Sequence, residues 1–151
     1  DQIAAALACA KALSVSRDRP GRLVLAADQT LICDGVAFHK PADLVAAERQ
    51  IALLAGRAHE LHSAFVIARD GAPLTEGLEA ARLTMRPLNT DFIARYVAVA
   101  GPGALSSVGG YQLEGLGAQL FEKVEGDHFT ILGLPLLAVL SALRDLDCLA
   151  R

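Results

Sequence analysis

Four charged side chains in this chain can do chemistry as a set: Lys11, Asp28, Lys40 and Glu114. Hydrolysis at phosphorus needs positive charge on the phosphoryl oxygens, from a metal or a side chain. It also needs a carboxylate that holds the metal or takes a proton from water. Asp28 suits either carboxylate role, Lys40 suits the clamp, and Lys11 supplies a second cation. Glu114 sits in a glycine-rich stretch, where a carboxylate can accept hydrogen bonds from the N–H groups of a nucleobase edge. Plainer readings stand beside these: Asp28 can cap a hairpin turn, and Lys11 can be a solvent-facing stem. Glu48, Glu122, Glu125 and Asp127 read as surface charges. His59 and His62, three apart in a strand, point to opposite faces and make no metal triad. Ser106 and Ser107 lack the GxSxG context of an activated nucleophile.

The elements that would position these groups follow from the apolar pattern. Leu23 to Ala27 is an apolar run that delivers Asp28 at its exit or at a break within it, and Thr30 to Cys33 resumes it before an Asp34-Gly35 turn. Val36 to Phe38 makes a short return strand. Lys40 is then held before Pro41, whose ring biases it toward extended backbone.

Gln2 to Leu13 reads as a helix with Ile3, Leu7 and Ala10 on its apolar face and Lys11 beside it. A second helix is expected over about Asp43 to Leu54, ended by Gly56. His59 to Ala68 is strand-like, Asp70-Gly71 is a turn, and a further strand is expected from about Leu78 to Met85, with Ala81, Leu83 and Met85 inward. Asn89 or Thr90 caps a helix to Ala100. From Gly109 to Gly117 four glycines fall in nine residues, a spacing that calls for sharp turns or close backbone approach. It is not a dinucleotide fingerprint. Gln119 to Val124 reads as a strand, Gly126 to Thr130 as a polar loop and Leu134 to Leu146 as the closing helix. No helix fits between Ala68 and Leu78, so the pattern predicts an α/β domain with antiparallel additions.

Length and charge narrow the classes. The 151 residues are one domain's worth, and 14 basic against 17 acidic residues leave a net charge of −3 with no basic block. That argues against binding of a nucleic-acid polymer. No run reaches the about 18 apolar residues that span a bilayer, so no membrane partner is expected. Cys9, Cys33 and Cys148 show no CxxC spacing and read as reduced, mostly buried thiols of a cytoplasmic protein.

Two long stretches resemble a known family. VLAADQTLICDGVAFHKPADLVAAERQIALLAGRAHELHSAFVIARDG, from Val24 to Gly71, is similar to the central motif of the Maf proteins, and GGYQLEGLGAQLFEKVEGDHFTILGLPL, from Gly109 to Leu136, resembles their second motif. The resemblance covers essentially the whole chain. It implies a single Maf-like, inosine triphosphatase-like α/β domain over residues 1–151, with a mixed central sheet flanked by helices. It implies hydrolysis of a nucleoside triphosphate between the α and β phosphorus atoms, supported by Mg2+ or Mn2+, and allows a homodimer. Carried onto this sequence, the catalytic aspartate, also the metal ligand, falls on Asp28. The lysine before proline falls on Lys40 as a catalytic and substrate-binding group, the lysine of the preceding helix on Lys11, and the base-reading position on Glu114.

The Asp28-Gln29 pair and the EGLG sequence look more like the subgroup that takes 7-methyl-GTP, which makes Gln29 a substrate-binding candidate. Guanine offers a ring N–H and an amino group together, and a carboxylate suits that pair. The family's opening strand, its SASxRR-type loop and the acid that follows have no counterpart here, so the resemblance implies an N-terminally truncated member. The alternative reading is a nucleotide-binding regulatory protein without turnover, linked to cell division control.

Overall fold

Residues 2–151 are described by a computed structural model. The fold is α/β, and among the described residues five strands form one sheet in the order β2-β1-β3-β4-β5, with helices flanking it. In chain order the elements are α1 (Gln2–Arg17), β1 (Val24–Cys33), β2 (Val36–Phe38), α2 (Leu44–Leu54), β3 (Ala58–Arg69) and β4 (Ala72–Met85). They are followed by α3 (Thr90–Ala100), β5 (Phe121–Glu125), α4 (His128–Leu132) and α5 (Leu136–Asp145), with short 3₁₀ turns between α3 and β5. β1 pairs antiparallel with β2, and β4 with β5. Asp34-Gly35 and Asp70-Gly71 all have positive φ, the two-residue geometry whose twist matches a hairpin.

The chain divides into two compact units, one of Asp1–Gln29, His62–Ala80 and Asp127–Arg151, the other of Thr30–Leu61 and Ala81–Gly126. In the first, β3 is buried on both faces, so Ser63 to Ala68 form an unbroken buried run instead of alternating with water. Ala64, Val66 and Ala68 meet Ala4, Ala8 and Ala12 of α1. Phe65 and Ile67 meet Val139 and Ala142 of α5. In the second unit α2 packs on α3 and on the 3₁₀ turns. Its helices begin at side-chain caps: Asp43 accepts from the Ala46 N–H at 2.7 Å and Asn89 from the Phe92 N–H at 2.8 Å.

Five expectations need correction. α1 buries Ala4, Ala8, Ala12 and Ser16 and leaves Ile3 and Leu7 half exposed, because small side chains let the helix backbone come close to the Ala64, Val66, Ala68 face. β1 is one unbroken strand with Asp28 inside it, and it has neither exit nor break there. β4 starts at Ala72, directly after the turn. Among the described residues β5 pairs only with Arg82 to Met85, so the first part of β4 has no second neighbouring strand there and shows no alternating apolar pattern. The segment expected as a polar loop at Gly126 to Thr130 carries the start of α4, capped by Asp127 through the Thr130 N–H at 3.0 Å. Of the three thiols, only Cys33 is buried, and Cys148 is exposed.

Candidate functional site

In the first unit the alanine stripe that brings α1 onto the sheet also brings Lys11 over β1. Its ammonium donates to Asp28 Oδ1 and lies 3.5 Å from the Ala27 carbonyl oxygen. Asp28 shows 16% of its side chain to solvent and Lys11 54%, so the carboxylate is largely enclosed while the cation remains reachable. Strand alternation sets the division of labour. Ala26 packs with the α1 cluster and Ala27 with the α5 cluster, which puts Asp28 on the α1 side and Gln29 on the other. Gln29 Nε2 donates to Ser63 Oγ and to two carbonyl oxygens of α4, those of Thr130 and Ile131.

Lys40 and Glu114 belong to the second unit, and both are exposed. Lys40 follows β2, next to His39, whose carbonyl oxygen accepts from Gln50 Nε2 at 2.7 Å. The same side chain accepts the Gly109 N–H at Oε1, 3.2 Å away. Gln50 of α2 thus ties the His39-Lys40-Pro41 stretch to the glycine-rich segment, a link with no signal in the sequence beyond a polar residue on a half-buried helix.

The glycines do both things their density called for. Gly109 and Gly110 have φ of +81° and +79°, and a Cβ on Gly117 would lie 2.3 Å from the Gln112 carbonyl oxygen. Glu114 sits in the turn that this packing forms, between Gln112 and the 3₁₀ helix Leu116–Leu120. That helix helps to line a pocket of ≈ 310 Å³ with Phe92, Arg95, Tyr96 and Val99.

The segment is anchored at Tyr111, which packs on His59 and edge-on to Phe121. Its hydroxyl shares a 2.7 Å hydrogen bond with His59 Nε2. Burial lowers the His59 pKa to about 4 and raises that of Tyr111, so both are neutral near pH 7. Tyr96, pushed up to about 12 by burial, donates to the Gly110 carbonyl oxygen at 3.3 Å. Burial first, and the Asp34 carboxylate second, raise the Cys33 pKa, which keeps that sulfur a thiol.

No three His, Cys, Asp or Glu side chains gather into a metal cage among the described residues. Asp28 can still offer one carboxylate to a cation whose remaining ligands are phosphate and water oxygens, the usual way Mg2+ is held at nucleotide sites.

The sequence matches the family described as Maf-like protein over residues 1–146. This chain belongs to the Maf family. Among similar Maf relatives is a nucleoside triphosphate pyrophosphatase of Rhodopseudomonas palustris strain HaA2, 56% identical over 149 residues, covering 99% of this chain and 74% of the relative. A 7-methyl-GTP pyrophosphatase of Mesorhizobium japonicum is 52% identical over 149 residues, 99% of this chain and 75% of the relative. Another 7-methyl-GTP pyrophosphatase, of Rhizobium etli, is 54% identical over 146 residues, 97% of this chain and 73% of the relative. None of the described helices is long and apolar enough to cross a membrane.

Proposed function

We propose that the chain is an enzyme, a nucleoside triphosphate pyrophosphatase. It adds water across the anhydride between the α and β phosphorus atoms and releases the monophosphate and pyrophosphate. The observation that carries this reading is the Lys11 ammonium set against the largely enclosed Asp28 carboxylate, in a chain of the Maf family. Asp28 is the catalytic carboxylate and the protein's ligand for Mg2+ or Mn2+. A bound divalent ion would neutralise charge on the phosphate oxygens. Lys11 and Lys40 bind phosphate oxygens, and Lys40 offsets the charge that builds on them as the anhydride opens. Lys11 also orients the Asp28 carboxylate.

The substrate is a modified purine nucleotide, 7-methyl-GTP. The relatives of Mesorhizobium japonicum and Rhizobium etli carry that name, and the exposed carboxylate of Glu114 can accept from the ring N–H and amino group of a guanine together. Both amide hydrogens of Gln29 are spread over protein oxygens, so only its Oε1 is left to meet a substrate. Unpaired Cys9, Cys33 and Cys148 fit a reducing, cytoplasmic setting, and a homodimer completes the reading.

The test is pyrophosphate release over 7-methyl-GTP, GTP, UTP, dTTP and CTP with Mg2+ or Mn2+, repeated with Glu114→Gln. Preference for 7-methyl-GTP that shifts toward UTP or dTTP in the variant supports the base assignment, and an unchanged order of substrates removes it. Nucleotide binding without pyrophosphate release would instead mark a regulatory protein.

A further inference from the structure

Gln29 is held more tightly than a substrate-reading side chain needs to be. Its Nε2 lies 2.8 Å from Ser63 Oγ, 3.0 Å from the Thr130 carbonyl oxygen and 3.1 Å from that of Ile131. Ser63, fully buried, donates to the same Thr130 oxygen at 2.7 Å. Those carbonyls end α4, a helix of five residues whose last C=O groups have no intrahelical partner. The Gly133 N–H also reaches Thr130 at 3.1 Å, and Gln29 and Ser63 complete the cap from β1 and β3.

We propose that Gln29 is a positioning residue: by clamping β1 to the end of α4 it fixes the strand where the neighbouring Asp28 turns to Lys11. The kinetic side of this rests on the pyrophosphatase reading. The structural side does not. Asp28 and Gln29 share a peptide bond and point to opposite faces, so a strand released on one face moves the carboxylate on the other. Displacements of about 1 Å at a reacting group cost on the order of 100-fold in rate.

The experiment compares wild type, Gln29→Met, Ser63→Ala and the double variant by steady-state kinetics and by carboxyl carbon NMR of Asp28. Methionine keeps the volume and removes the donors, and Ser63 is too deeply buried to touch a ligand. The expected result is a kcat about tenfold lower in Gln29→Met with KM and base preference held, the signature of a lost positioning effect. Ser63→Ala shows the same pattern more weakly, the double variant falls no further than Gln29→Met, and the Asp28 carboxyl resonance moves in all three.

A raised KM or altered base preference in Gln29→Met with Ser63→Ala silent would overturn the proposal and make Gln29 a substrate contact. So would an unmoved Asp28 resonance. If wild type turns over no nucleotide, the pyrophosphatase reading falls while the NMR arm still decides the clamp. If Gln29→Met does not fold, Ser63→Ala decides it alone.

Discussion

Lys11 of α1 lays its ammonium against the carboxylate of Asp28 in β1, seventeen residues further along the chain. Because the pair sits at the edge of the α1 contact, one cation and one anion are presented side by side, with the cation the more exposed of the two. Replacing Lys11 by Met keeps the stem and removes the charge. The expected effect is a KM for triphosphates raised about tenfold, the loss of one charge-assisted contact of roughly 1.5 kcal/mol. Initial rates against nucleotide concentration read it, and an unchanged KM would show that Lys11 does not touch phosphate.

His59 ties stability to pH. Its pKa is about 4 when folded against 6.5 when free, because burial disfavours the charged ring. The unfolded chain therefore binds the extra proton between those values. The stability that His59 contributes is fully present above pH 6.5, declines as pH falls toward 4, and then levels off. The whole shift corresponds to roughly 3 kcal/mol. Urea denaturation at steps from pH 7 to 4.5 measures it. A flat profile from 6.5 to 5 would mean that His59 is protonated as easily in the fold as outside it.

Gly117→Ala places a methyl 2.3 Å from a backbone oxygen, that of Gln112, which cannot swing aside as a side chain can. A loss of about 1–3 kcal/mol is expected, with the Glu114 turn displaced. Thermal denaturation checks the first and base preference the second. A variant as stable as wild type would show that the turn gives way without cost.

Gln50→Ala cuts the bridge between His39 and Gly109. The Gly109 amide loses its acceptor, so its hydrogen exchange should quicken, by on the order of fivefold for a bond of about 1 kcal/mol. Exchange unaltered at Gly109 would place the stiffness of the glycine segment elsewhere, in the Tyr111 anchor.

These residues also mark what could be read in the sequence. The Asp34-Gly35 and Asp70-Gly71 turns, the cap at Asn89, and the inward Ala81, Leu83 and Met85 were legible because each is a local rule of backbone or period. The buried face of α1 was not, because apolar scales rank Ile3 and Leu7 above alanine while close helix-to-sheet packing selects the alanines. α4 left a usable signal in Asp127, Thr130, Gly133 and Pro135, a cap before and a stop after, obscured by its length of five residues. The partners of Gln29 lie 34, 101 and 102 residues away, and no spacing rule reaches that far. Ser63 gave a hint as a lone hydroxyl in an apolar run, since a buried hydroxyl needs a partner. The candidate charges Asp28 and Lys11 were legible as residue types, whereas their pairing came only from the fold.

The central claim is that this chain cleaves nucleoside triphosphates at the α–β anhydride using Asp28. The most direct measurement is pyrophosphate release from 7-methyl-GTP with Mg2+, for wild type and Asp28→Asn side by side, with nucleotide binding followed by calorimetry. The account predicts monophosphate and pyrophosphate in equal amounts from wild type, and a rate at least about 100-fold lower in the variant with binding retained. Equal rates in the two proteins, or binding by wild type with no pyrophosphate formed, would contradict it.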